Sequence, residues 1–147
     1  TMRSLAVERA RAAARAVPAD AFAWFNLGTS LSELATGDPA TAEAAAAAFD
    51  QARRLGLPPR MLWYQFAPYA AYLAVGRAED VLALTEATLA TQGGRNVEET
   101  WLYRGYALRV MGDEDGAQAA FARAAELNPT SPVGLAAQHE LETDGRG

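Results

Sequence analysis

The side chains that could do chemistry in this chain are few and of narrow type. His139 is the single histidine, no cysteine occurs, and every basic residue is an arginine. Without lysine there is no phosphate loop of the Gly-Lys-Ser/Thr kind and no Schiff base. Without cysteine there is no thiol nucleophile, thiolate ligand or disulfide. A metal site or a histidine-based triad would have to start from His139 alone, so we read it as an ordinary, partly exposed residue. Glu98 and Glu99 stand where a helix should begin, and acids there favour the positive end of the helix dipole. Asp113, Glu114 and Asp115 lack the ligand spacing of a calcium loop. Gly93 and Gly94 lack the strand and helix that flank a phosphate cradle. The expectation is a non-catalytic chain, with no catalytic residues, no metal and no cofactor.

Tyrosine carries a different message. All five (Tyr64, Tyr69, Tyr72, Tyr103, Tyr106) fall in two short stretches. The ring offers apolar area, the hydroxyl offers a hydrogen bond, and the combination is favoured where proteins meet. Each ring is equally able to pack between helices with its hydroxyl at the surface.

Whatever these residues do, helices must position them. Trp101, Gly105 and Leu108 follow the i, i+4, i+7 spacing of one helical face, and Ala117, Phe121 and Ala124 repeat it. Gly112-Asp113 breaks the pattern between them, and Asn128-Pro129 closes it. This is a helical hairpin in which Gly105 and Ala117 let two backbones approach, with Phe121 filling space toward the next hairpin. Trp24, Leu27, Gly28 and Leu31 open an earlier copy. Asp38 is its second N-cap and Pro39 the first helical residue. Ala45, Phe49 and Ala52 complete it. Trp63 opens a third, degenerate copy: Ala67 replaces glycine, Val81, Thr85 and Thr88 replace Ala, Phe and Ala, and Pro68 inside the first helix predicts a kink. Asn96 with Glu99 reads as a capping box for the helix of Trp101. Residues 5–17 read as the second helix of a preceding copy through Ala6, Ala10 and Ala13; a cleaved targeting peptide is the alternative. Ser131 with Pro132 starts a last helix to about Leu141, a polar cap, and 143–147 read as a frayed end.

These residues resemble the tetratricopeptide repeat family, whose signature runs Trp, Leu-Gly, a large apolar residue, Ala, Phe, Ala and a closing Pro on a period of 34. The three tryptophans are spaced 39 and 38 residues apart, longer than that period, and Arg104 stands where the family prefers Leu. The resemblance implies an all-α, right-handed solenoid of three hairpins with a flanking helix at each end, forming a single domain over 1–147. Its parts would be an N-terminal helix (5–17), repeats at 21–58, 60–94 and 98–129, and a capping helix (131–142). It further implies a concave side lined by the first helices. Partner contacts would then come from Phe25, Asn26 and Thr29; from Tyr64, Gln65 and Tyr72; and from Tyr103, Tyr106 and Arg109, with Pro68 and Leu102 beside them. A clamp for acidic C-termini is disfavoured, because Phe25 and Thr29 flank Asn26 where Lys and Asn would be needed. The segments 60–77 and 93–108 are also similar to the repeat segment attached to certain bacterial papain-like cysteine peptidases, which would make this chain an accessory module.

Composition is compatible with all of this. The chain has 147 residues, 50% hydrophobic and 21% charged, enough for one domain with its own core. A net charge of −5 argues against nucleic acid, and no apolar run is long enough to span a membrane. The expected partner is a protein or extended peptide, or a neighbouring domain of the same polypeptide. Homodimerisation through the aromatic face is the alternative. The compartment stays open: cytoplasmic, or extracytoplasmic as part of a larger exported protein.

Overall fold

A computed structural model describes residues 1–143; the expected frayed end falls almost wholly on 144–147, outside the described residues. It is all-α, with no strand among the described residues. The helices are α1 (Met2–Ala16), α2 (Ala21–Leu34), α3 (Pro39–Arg54), α4 (Ala67–Ala74), α5 (Ala78–Leu89), α6 (Glu98–Val110), α7 (Glu114–Leu127) and α8 (Pro132–Thr143). Two short 3-10 helices, Pro59–Trp63 and Gly94–Asn96, precede α4 and α6. No helix among the described residues is long and apolar enough to cross a membrane.

Contacts divide the chain into two units. The first is Thr1–Pro58 with Ala67–Gly76; the second is Pro59–Phe66 with the chain from Arg77 onward. In the first, α2 packs between α1 and α3, and α4 packs on α2 and α3. In the second, α6 packs on α5, α7 and α8, and α7 also packs on α8.

The hairpins α2–α3 and α6–α7 use the same parts. Asp38 and Asp113 cap the second helices, accepting from Ala40 N at 3.2 Å and from Gly116 N at 2.9 Å. Such caps satisfy donors that the first turn leaves unpaired. The indole of Trp24 donates to the Pro18 carbonyl at 2.9 Å, and that of Trp101 to the Arg95 carbonyl at 2.8 Å, each six residues upstream. A phenylalanine ring from the second helix abuts a glycine of the first. A Cβ on Gly28 would sit 2.7 Å from the Phe49 ring, and one on Gly105 would sit 2.5 Å from the Phe121 ring. Both rings are buried, with alanines around them: Ala45, Ala48 and Ala52 on α3, and Ala117, Ala120 and Ala124 on α7. Phe121 therefore fills the gap inside its own hairpin, where the sequence had suggested packing toward the next one.

Three further expectations are corrected, and contacts divide the 60–94 segment. Pro68 does not kink a helix. It is the second residue of α4, a position where a missing N–H costs nothing, and Trp63 ends a separate 3-10 helix upstream. The helices of the 60–94 copy fall in different units, α4 in the first and α5 in the second. Asn96 caps nothing: it ends the 3-10 helix Gly94–Asn96, and Val97 is the N-cap of α6 without a side-chain bond. In α1 the inward residues are Val7 and Ala14, while Ala6 and Ala13 are exposed, so its packing face is rotated from the one expected. Ser131 caps α8 as expected, accepting from Gly134 N at 3.0 Å.

The ring-on-glycine contact makes a prediction opposite in sign to helix propensity, which favours Ala over Gly by about 1 kcal/mol. Overpacking a buried site costs about 1–3 kcal/mol. Gly105→Ala should therefore lower unfolding stability in urea, by up to about 2 kcal/mol. Combined with Phe121→Leu, its cost should shrink, giving a non-additive double-mutant cycle. A stabilised Gly105→Ala protein would show that the ring yields freely.

Candidate functional site

The expected contact residues meet different fates. In the first unit, Asn26 is exposed on α2. Phe25 is 0% exposed and packs edge-on against Phe49, with ring centroids 5.2 Å apart; it is core and presents no surface to a partner. Thr29 is half-buried, and among the described residues its hydroxyl has no hydrogen-bond partner, as is also true of Ser32 one turn on. Tyr72 is also 0% exposed. Its hydroxyl donates to Asp50 Oδ1 at 2.7 Å and accepts from Arg53 Nη1 at 3.2 Å, and the Arg53 guanidinium lies 5.4 Å from the ring centre. Tyr72 thus fixes α4 to α3 and belongs to the core.

In the second unit, Tyr64 is 78% exposed and Gln65 is exposed beside it. Tyr64 leans toward Trp63, whose indole donates to Thr91 Oγ1 at 3.1 Å and whose ring carries the Arg60 guanidinium at 4.9 Å. Trp63 therefore lacks the carbonyl partner shared by Trp24 and Trp101. Tyr64 borders a cleft of about 300 Å³ together with Trp63, Val97, Glu98, Glu99 and Leu127. Tyr103 and Tyr106 are half-buried on α6, 6.2 Å apart, and Tyr106 meets Phe121 at 5.4 Å. Burial pushes both phenols above their ordinary range, with Glu99 adding to the effect at Tyr103 and Glu140 at Tyr106.

Arg109 is a structural clamp. It donates to both carboxylate oxygens of Glu114 at 3.1 and 2.8 Å, to the Glu140 carboxylate, and to the Glu140 carbonyl at 3.2 Å. Its guanidinium covers the Phe121 ring at 4.8 Å. One side chain thereby joins α6, α7 and α8. His139 is exposed on α8, and Gly94 is buried against the Thr88 carbonyl.

The structure also gathers residues that the sequence reading passed over. In the second unit, Arg95, then Trp101, Arg104 and Leu108 of α6, and Arg123 of α7 line a pocket of about 540 Å³. The first unit has a matching pocket of about 390 Å³, lined by Trp24, Leu27, Leu31 and Gln51. Arg104 was visible in the sequence as a departure from the repeat pattern, and that departure was the available signal. Compared with known proteins, the chain matches no family model and no curated sequence.

Tyr72 gives a pH dependence. Its pKa is pushed from 10.0 up to about 12, first by burial and further by Asp50, against the pull of Arg53. Between these values the unfolded chain ionises and the folded chain does not. The contribution is full below pH 10 and is lost as pH rises toward 12. Phenolate absorbance should show a late step near pH 12 that Tyr72→Phe removes, and unfolding stability should decline across the same interval.

Proposed function

We propose that the chain is a helical-repeat scaffold of the tetratricopeptide kind that binds a protein or an extended, partly apolar peptide and does no chemistry itself. The recurrence of one set of parts in α2–α3 and α6–α7 supports the repeat reading: the aspartate cap, the indole bond six residues upstream and the ring on glycine. The binding reading is carried by one observation. Tyr64 leaves 78% of its surface in solvent beside a cleft with an apolar wall of Trp63, Val97 and Leu127. A large ring so exposed gains by being covered, and its hydroxyl tip remains free to bond a peptide group. Tyr103 and Tyr106 are the next aromatic surface, stiffened from beneath by Phe121. Asn26 and Gln65 would add polar contacts.

Selecting displayed random peptides against the chain tests this. Binders should share an apolar or aromatic side chain, and Tyr64→Ala should weaken them by roughly 10-fold or more, the scale of an interface anchor. Tyr103→Ala should act in the same direction, with Tyr103→Phe closer to the parent. Binders indifferent to both alanine variants would reject the aromatic face as the contact surface. Sedimentation at several concentrations separates the alternative: a dimer that dissociates on Tyr64→Ala assigns the face to a second copy.

A further inference from the structure

The two matching pockets differ in the charges that line them. Each is walled by helix positions i, i+3 and i+7 of its first helix: Trp24, Leu27 and Leu31, or Trp101, Arg104 and Leu108. Where the first pocket has Leu27 and Gln51, the second has Arg104 and Arg123. The first pocket has arginines at its rim as well, but Arg54 is turned onto Gln51 Oε1 at 3.0 and 2.9 Å. In the second pocket the guanidiniums find only weak partners. Arg104 lies 3.9 Å from Glu86, whose side chain is 76% exposed, and donates to Thr85 Oγ1 at 3.3 Å. Arg123 lies 3.5 Å from Glu126, whose side chain is 71% exposed. The acids of both pairs lie mostly in water, while the Arg104 side chain itself is 22% exposed and that of Arg123 38%; pairs with such exposed acids contribute little. Arg95 makes no side-chain hydrogen bond or ion pair among the described residues; its main-chain carbonyl serves Trp101. The acid in the lining, Asp113, is engaged at the start of α7, where it accepts from Gly116 N.

We propose that this pocket is a binding site for an acidic peptide segment, with carboxylates on Arg95, Arg104 and Arg123 and an apolar side chain over Trp101 and Leu108. Guanidinium forks match carboxylate geometry, and Arg in an apolar wall is the form of cation suited to such pairing. The volume fits a few side chains. A compact inorganic anion fits less well: the nearby helix start is already occupied by Asp113, and Trp101, Leu108 and alanines of α7 form much of the wall. The site is separate from the aromatic surface of Tyr64 and does not depend on it.

The first pocket supplies the test variant. Arg104→Leu/Arg123→Gln installs side chains that the matching positions already accommodate. Fluorescein-labelled Asp-Glu-Leu-Glu-Asp and Asp-Glu-Phe-Glu-Asp, titrated by anisotropy, should bind saturably and weaken as salt is raised. Their Asn/Gln counterparts should bind at least tenfold less well. The double variant should lose at least tenfold with its thermal unfolding unchanged. Arg123→Gln alone, on a more exposed side chain, should lose part of the affinity and covers the case in which the double variant unfolds. Arg11→Gln/Arg54→Gln, in the first pocket, should bind as the parent does. Absence of saturable binding by the parent, or parent-level binding by both Arg123→Gln and the double variant, overturns the proposal. Displacement of the peptides by inorganic phosphate at comparable concentration overturns it in favour of a small-anion site. Self-association abolished by the double variant overturns it in favour of a second copy.

Discussion

A phenylalanine ring resting on a glycine backbone is the contact on which this structure turns. At Gly28 and Gly105 the facing ring occupies the volume that any Cβ would need. That fixes how near the two helices of a hairpin come, and so fixes what the rest of the interface accepts. With backbones this close, the second helix must be small beside its ring, which is why Ala45, Ala48 and Ala52 surround Phe49 and Ala117, Ala120 and Ala124 surround Phe121. Dense packing of small residues against one large ring gives a rigid joint, because closely packed interiors leave no room for alternative placements. The 60–94 segment lacks the pair, with Ala67 and Thr85 at the corresponding positions. Its second helix instead buries Thr85 and Thr88, whose hydroxyls bond back to the Leu82 and Leu84 carbonyls. The boundary between the two units falls within this segment.

Much of the helical frame was legible in the sequence because its signals are local. Asp38-Pro39 and Ser131-Pro132 mark helix starts by chemistry that needs no tertiary context, and both work as read. The glycine–phenylalanine spacing announced close packing, although the partner of Phe121 was misplaced, since periodicity gives a face and not its neighbour. Pro68 was misread because a proline ends one helix or begins another with equal ease, and the choice was made by the 3-10 helix that holds Trp63. Asn96 lost its capping role for the same reason: the chain was already turning at Gly94–Asn96. In α1 the alanines are too many to single out a face, and the one Val decided it.

The contact residues were harder to read, since position on a helix does not determine burial. Phe25 and Asn26 are neighbours in sequence, yet one is core and the other surface. Tyr64 and Tyr72 belong to one short segment, yet the first is largely in solvent and the second is sealed between Asp50 and Arg53. A phenol can be buried cheaply only where its hydroxyl finds a partner. Those partners come from α3, 19 and 22 residues away, so no local pattern marked which tyrosine would find them. Arg109 illustrates the converse. Its place on α6 suggested a contact residue, but Glu114 and Glu140 engage its guanidinium from two other helices.

Arginine's several uses in this lysine-free chain follow from the same accounting. A guanidinium with two close carboxylates, as at Arg109, is spent on joining helices. One with an acid three residues on, as Arg77 has Asp80 at 2.8 Å, ties down a helix start. Those of Arg104 and Arg123 have acids only at the edge of reach, on side chains that lie mostly in water. In a chain of net charge −5, acids are plentiful enough to have neutralised every arginine closely. Electrostatic attraction alone would favour that outcome, so the loosely paired arginines around Trp101 owe their state to the packing that holds them. The matching pocket carries Leu27 and Gln51 at the corresponding positions, so the fold does not require charge at those two places. A cation that the fold does not need, set partly in an apolar wall where desolvation makes pairing selective, is a feature whose physical return comes only when an anion arrives.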